Sequence, residues 1–325
     1  MKNKIMLFNE LDYYGYRNFL KTSLNLPIAP ITSASMLHGW IPWSDATKDE
    51  LSHHEAKIRL WHTESQAKYM KSIEPLSEHY AVGLPFIQFC KHYKSNTVDL
   101  EQIKDSLLIV MPHSTPRTQI DTDDFLHEFI SNTIDSSTRK FRQIGIILAK
   151  PDYNNIKLRA VFSEKFPKIK IECGAAVDDS SSFPRLFEVL RRYTHLSSCV
   201  FSSMILYAAY LRLKVNIDKK FLYQYSIETF TKESDHSNNA LLPQKMFYRK
   251  SFENLNIHLP GLAVDNSLDE WLGYEYFSAR DEFFAASPEE IARLLKWGQS
   301  STYLFDTTAY FLSRLKNKIS DKLIN

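Results

Sequence analysis

Apolar and polar positions change period along this chain in short blocks, and the block lengths predict strands interleaved with helices. Residues 5–8 read as a strand, 16–24 as a helix, and 27–36 as an extended piece ending at His38-Gly39. Residues 57–62 and 80–84 read as strands, with a helix over 64–72 between them and Pro85 closing the second. Residues 106–111, Ser-Leu-Leu-Ile-Val-Met, form a continuous apolar run bounded by polar residues. Such a run marks a strand buried on both faces.

The alternation then restarts. A helix begins in the acidic stretch from Asp121. Further strands are predicted at 144–148, 169–172, 198–201 and 215–217, with helices at 183–193 and 204–211; residues 155–162 fit either state. Strands alternating with helices predict βαβ units and parallel sheets. The pattern runs twice, with a break at the Pro-containing stretch 112–122, so two Rossmann-like units joined by a hinge are expected. Residues 219–260 are polar and ambiguous, and 268–325 read as helical. Ser287-Pro288-Glu289-Glu290 opens one of those helices, with Ser as N-cap, Pro at the first position and acids in the first turn.

Candidate chemistry gathers where predicted strands end. Ser202-Ser203 lies between a strand and a helix, where hydroxyls, free N–H groups and the helix dipole together suit a phosphate. The same pair also reads as a plain N-cap. Gly174, with Ala175 and Ala176, comes after another strand and lets a ligand or a backbone come close. In Pro112-His113-Ser114-Thr115, His113 can hold a phosphate or move a proton, and the two hydroxyls can bind a ligand or only their own turn. Arg117 offers a bidentate phosphate contact, and Lys150 ends the strand before it with a second positive charge. His38 is a candidate general base, as are the carboxylates of Asp12 and Asp45. No further ligand accompanies His53-His54 at metal-binding spacing, so no metal site is expected. The aromatic residues Tyr274, Tyr276, Phe277, Phe283 and Phe284 read as core.

Composition narrows the classes. The chain has 325 residues, 44% hydrophobic, enough for two cores. A net charge of +2 gives no footprint for nucleic acid. Cys90, Cys173 and Cys199 are widely separated and read as buried thiols of a reducing compartment. The opening residues are too short for a signal h-region and no window nears about 18 apolar residues, so a cytoplasmic protein is expected. The basic run Arg314, Lys316, Lys318, Lys322 reads as a solvated helix face, with peripheral contact to an anionic inner membrane as the other reading.

Together, His-Gly at 38–39, Val-Gly-Leu-Pro-Phe at 82–86, Pro-His-Ser-Thr at 112–115 and the frame Ser198, Ser203, Ile205, Tyr207, Ala208 resemble bacterial polysaccharide-biosynthesis glycosyltransferases of the GT-B architecture. The likeness spans roughly residues 30–217. Ser202 stands where such sequences have glycine and Met204 where they have histidine. A histidine with paired serines also resembles CMP-sugar transferases of the sialyltransferase and Kdo-transferase kind.

The resemblance implies an α/β, GT-B fold with two Rossmann-like domains facing a central cleft. Residues 1–117 would bind the acceptor and 118–300 the nucleotide sugar, with 301–325 a helix packing back on the first domain. It implies sugar transfer from a nucleotide-sugar donor, CMP-linked ahead of UDP- or GDP-linked, to a hydroxyl of a capsule, O-antigen or lipooligosaccharide. The partners expected are that donor and a glycan or glycolipid acceptor, with no resident cofactor and no metal. Two other readings stay open: a GT-B-like sugar-nucleotide epimerase or pyruvyl transferase, and a catalytically silent subunit of a polysaccharide assembly complex, which the Ser202 and Met204 departures motivate.

Overall fold

The computed structural model describes residues 10–27, 34–37, 39–40, 56–94, 102–114, 124–137, 140–200, 202–218, 271–278 and 283–297. The predicted strand at 5–8, the stretch 219–260 and the segment 301–325 lie outside them. A kinked 3-10 segment, Glu10–Gly15, leads into α1 (Tyr16–Ser23). The strands β1 (Ser35–Met36), β2 (Ile58–Trp61) and β3 (Glu78–Ala81) then form a parallel sheet in that order, with α2 (Glu64–Ile73) crossing from β2 to β3. Thr63 and Gln66 close a capping box at the start of α2, satisfying N–H groups that the first turn leaves open.

The second sheet contains β4 (Ser106–Val110), β5 (Gln143–Leu148), β6 (Lys170–Cys173), β7 (His195–Ser198) and β8 (Lys214–Ile217). All its pairings are parallel and the order is β6-β5-β4-β7-β8. The crossovers are α4 (Asp124–Ser137), then α5 (Lys150–Asn154) with α6 (Ile156–Lys165), then α7 (Ser182–Leu190) and α8 (Ser203–Tyr210). This is a doubly wound sheet, and the period-two geometry of its central strand shows why. Leu107, Ile109 and Met111 pack with Phe129 of α4 and Phe162 of α6. Leu108 and Val110 face Leu186 of α7 and Leu206 of α8. A strand covered on both faces has no room for a polar alternation.

Three elements differ from the sequence reading. Pro85 starts a helix, α3 (Pro85–Lys94), where a strand end was expected; proline suits a first helical turn because no N–H is needed there. The strand expected at 198–201 is His195–Ser198. Its polar residues are tolerated because the ladder to β4 and β8 is set by backbone pairing. β4, read from sequence with the strands before it, sits at the centre of the second sheet, so the change of sheet falls ahead of residue 106. Pro112-His113-Ser114 therefore leaves the carboxyl end of the central strand and is not a linker between sheets.

The first sheet packs onto the second through α3. Phe86 meets Tyr207 with ring centroids 4.4 Å apart and Phe183 at 5.7 Å, and Tyr93 meets Phe187 at 5.1 Å. One buried apolar cluster thus runs from Tyr16 and Leu60 through α3, α7 and α8 to Val215. The chain closes back on it through α9 (Tyr274–Ser278) and α10 (Pro288–Leu294), where Ser287 caps α10 by accepting from Glu290 N–H as expected. Ala285 bridges Gly83, whose φ of +82° and close approach to Phe284 O leave no space for a Cβ.

Candidate functional site

In an open parallel sheet the ligand crevice lies beyond the carboxyl ends of the strands, where the strand order reverses. Here the reversal falls at β4, between β5 on one side and β7 on the other. Val110 is in register with Ser198, so the chain leaves the two strands at the same level. Beyond Val110 the chain reaches His113 and Ser114, and beyond Ser198 it reaches Ser202 and Ser203. The fold therefore brings the two leading predicted segments to adjacent strand ends.

On the β4 side, His113 is exposed, and its Nδ1 lies 3.1 Å from the Ser114 carbonyl. A carbonyl only accepts, so Nδ1 carries the hydrogen and a neutral imidazole keeps its lone pair on Nε2. The N–H of Ser114 donates to Asp152 Oδ2 at 2.9 Å. Asp152 lies in the first turn of α5 and has no place in the sequence reading; a lone Asp after a strand carries no signal that it reaches back 38 positions.

On the β7 side the two serines behave differently. Ser203 Oγ accepts from the backbone N–H of Trp40 at 2.9 Å and also hydrogen-bonds the Tyr207 hydroxyl. It ties the 39–40 segment of the first half to α8. Ser202 is the N-cap of α8 with an extended backbone, yet its side chain makes no capping bond. Its Oγ is inaccessible to solvent and has no hydrogen-bond partner among the described residues. Met204 is partly buried against the shared core.

The next strand ends hold charge. Lys150 Nζ lies 3.0 Å from Asp179 Oδ2, and Arg185 pairs with the same oxygen while its Nε donates to Gly174 O at 2.8 Å. Burial raises the Asp179 carboxyl, but the hydrogen bonds from Arg185 and Lys150 outweigh it and bring it to about 2. At Gly174 a Cβ would lie 2.7 Å from Leu148 O, so the missing side chain lets β6 run close to β5. Asp12 is held 2.9 Å from Arg17 Nε in the N-terminal segment, whose Tyr14 N–H docks on Val177 O beyond β6. His38, Asp45, Thr115 and Arg117 lie outside the described residues.

Among the described residues no group of three or more His, Cys, Asp or Glu could hold a metal ion. No helix among them is long and apolar enough to cross a membrane. Fold and site together define an α/β protein with a Rossmann-like parallel sheet and polar groups gathered at its switch point. No family model, curated protein or solved structure compared with the chain matches it.

Proposed function

We propose that this chain is a glycosyltransferase of GT-B-like architecture that moves a sugar from a nucleotide donor to a hydroxyl of a bacterial surface glycan. The observation that carries the reading is the emergence of His113-Ser114 and Ser202-Ser203 from adjacent strands at the reversal of strand order. The donor phosphate sits at the N-terminus of α8, beside Ser202, with the positive end of the helix dipole toward it. His113 and Ser114 approach it from the β4 side, and His113 can protonate or hold the leaving phosphate as the sugar bond breaks. The base that takes the acceptor proton is His38 or Asp45; Asp12 is the weaker choice because Arg17 already occupies its carboxylate. CMP-linked donors are the first to test.

A melting-shift screen against CMP, UDP, GDP and dTDP and their sugars tests the reading. A ligand bound only by the folded chain raises the melting temperature with its concentration. A shift with one nucleotide, lost in His113→Ala, is expected. No shift with any of them, at millimolar concentration, overturns it. Turnover of the sugar nucleotide without an acceptor would replace transfer by an epimerase or pyruvyl-transferase-like reaction.

A further inference from the structure

We propose that Asp152 is a positioning residue, whose carboxylate holds the turn after the central strand so that His113 and Ser114 stay at the crevice. This rests on the reading of that turn as part of the nucleotide site. Asp152 is only 4% exposed. No cation among the described residues pairs with it. A buried carboxylate is costly, and an apolar side chain would fill the same space more cheaply. What Asp152 supplies is an acceptor for a backbone N–H beyond the carboxyl end of β4. The β4–β5 ladder ends at Val110 and Ile147, four residues before Ser114. Asp152 Oδ2 takes that N–H at 2.9 Å. The aspartate itself is fixed, because Lys150 N–H bonds Ala175 O and locks the start of α5 onto the end of β6. The chain from β6 through α5 to the β4 turn is therefore a continuous set of hydrogen bonds. It places Ser114, and with it the His113 ring that bonds the Ser114 carbonyl, relative to the sheet.

Asp152→Asn keeps an acceptor oxygen and Asp152→Ala removes it, so the pair separates hydrogen bonding from charge. Two measurements on the full chain decide the role. Amide exchange at Ser114 without nucleotide reads the bond itself: protection in the wild type and Asp152→Asn, lost in Asp152→Ala, is expected. Equal protection in all three overturns the proposal. The melting-shift titration with CMP, UDP, GDP and dTDP reads the consequence. In Asp152→Ala the half-saturating concentration should rise about tenfold, the effect of losing one charge-assisted hydrogen bond, with Asp152→Asn close to wild type. Unchanged affinity in Asp152→Ala, or equal loss in both variants, overturns the positioning role. If no nucleotide shifts the wild type, the site reading fails separately, and exchange at Ser114 alone decides whether Asp152 holds the turn.

Discussion

Replacing each of the adjacent serines by alanine should give opposite results, although both are small hydroxyls at one helix start. Ser203→Ala removes the acceptor of the Trp40 N–H and a partner of the Tyr207 hydroxyl. Trp40 is 8% exposed and Tyr207 5%, so water cannot replace the lost bonds without opening the core. One orphaned buried donor costs about 1–3 kcal/mol, and about 2 kcal/mol is expected here. For a chain of this size that is a fall of a few degrees in melting temperature. Ser202→Ala removes a hydroxyl that is already buried and unpaired among the described residues. Deleting it relieves desolvation, so the unliganded protein should hold its stability or gain up to about 1 kcal/mol. The same variant should lose most of the nucleotide-dependent shift, since no acceptor among the described residues competes with a phosphate for the hydroxyl. Urea denaturation of both variants, with and without the best nucleotide of the screen, makes the comparison. Equal destabilisation by the two substitutions refutes the division of labour. A Ser203→Ala protein as stable as wild type refutes the Trp40 link.

His195 predicts a pH response. Burial between Phe141 and Trp271, each 4.8 Å away between ring centroids, and then the charge of Lys214 lower its pKa from 6.5 to about 4. The folded state binds fewer protons than the unfolded one between these values, so this stability is complete above pH 6.5 and drains as pH falls toward 4. The unscreened loss from pH 7.5 to 5 is about 2 kcal/mol, reduced to about 1 kcal/mol because the ring is only half-buried. Urea titrations at both pH values should show this loss in wild type and its disappearance in His195→Phe; identical slopes would contradict it. Gly145→Ala drives a Cβ into the Tyr193 hydroxyl, which donates to Glu172. A loss of about 1–3 kcal/mol is expected, partly recovered by adding Tyr193→Phe because Glu172 keeps Lys170 and Arg192. A neutral Gly145→Ala would show that the strand moves aside.

Much of the local structure is legible from the order of residues. The apolar run at 106–110 defines a strand covered on both faces, and Ser287-Pro288-Glu289-Glu290 defines a helix start, because both depend on near neighbours in the chain. The candidate segments at 113–114 and 202–203 stand out for the same reason: each comes after a strand and ahead of a helix-forming stretch. Pro85 shows the limit. The apolar residues Phe86, Ile87 and Phe89 just after it have a helical spacing too short to separate from a strand, and only their burial against Phe183 and Tyr207 makes α3.

The roles of the site residues were set by contacts far apart in the chain. Order of residues alone gives Ser202 and Ser203 one description, and the Trp40 N–H, 163 positions away, separates them. It places β4 with the strands before it, whereas pairing puts it between β5 and β7. It gives Asp152 no role at all. Local patterns fix which segments can be strands, helices and turns, since these rest on backbone geometry and neighbouring side chains. Which strand lies beside which, and which polar atom is left without a partner, are decided only when the whole core closes.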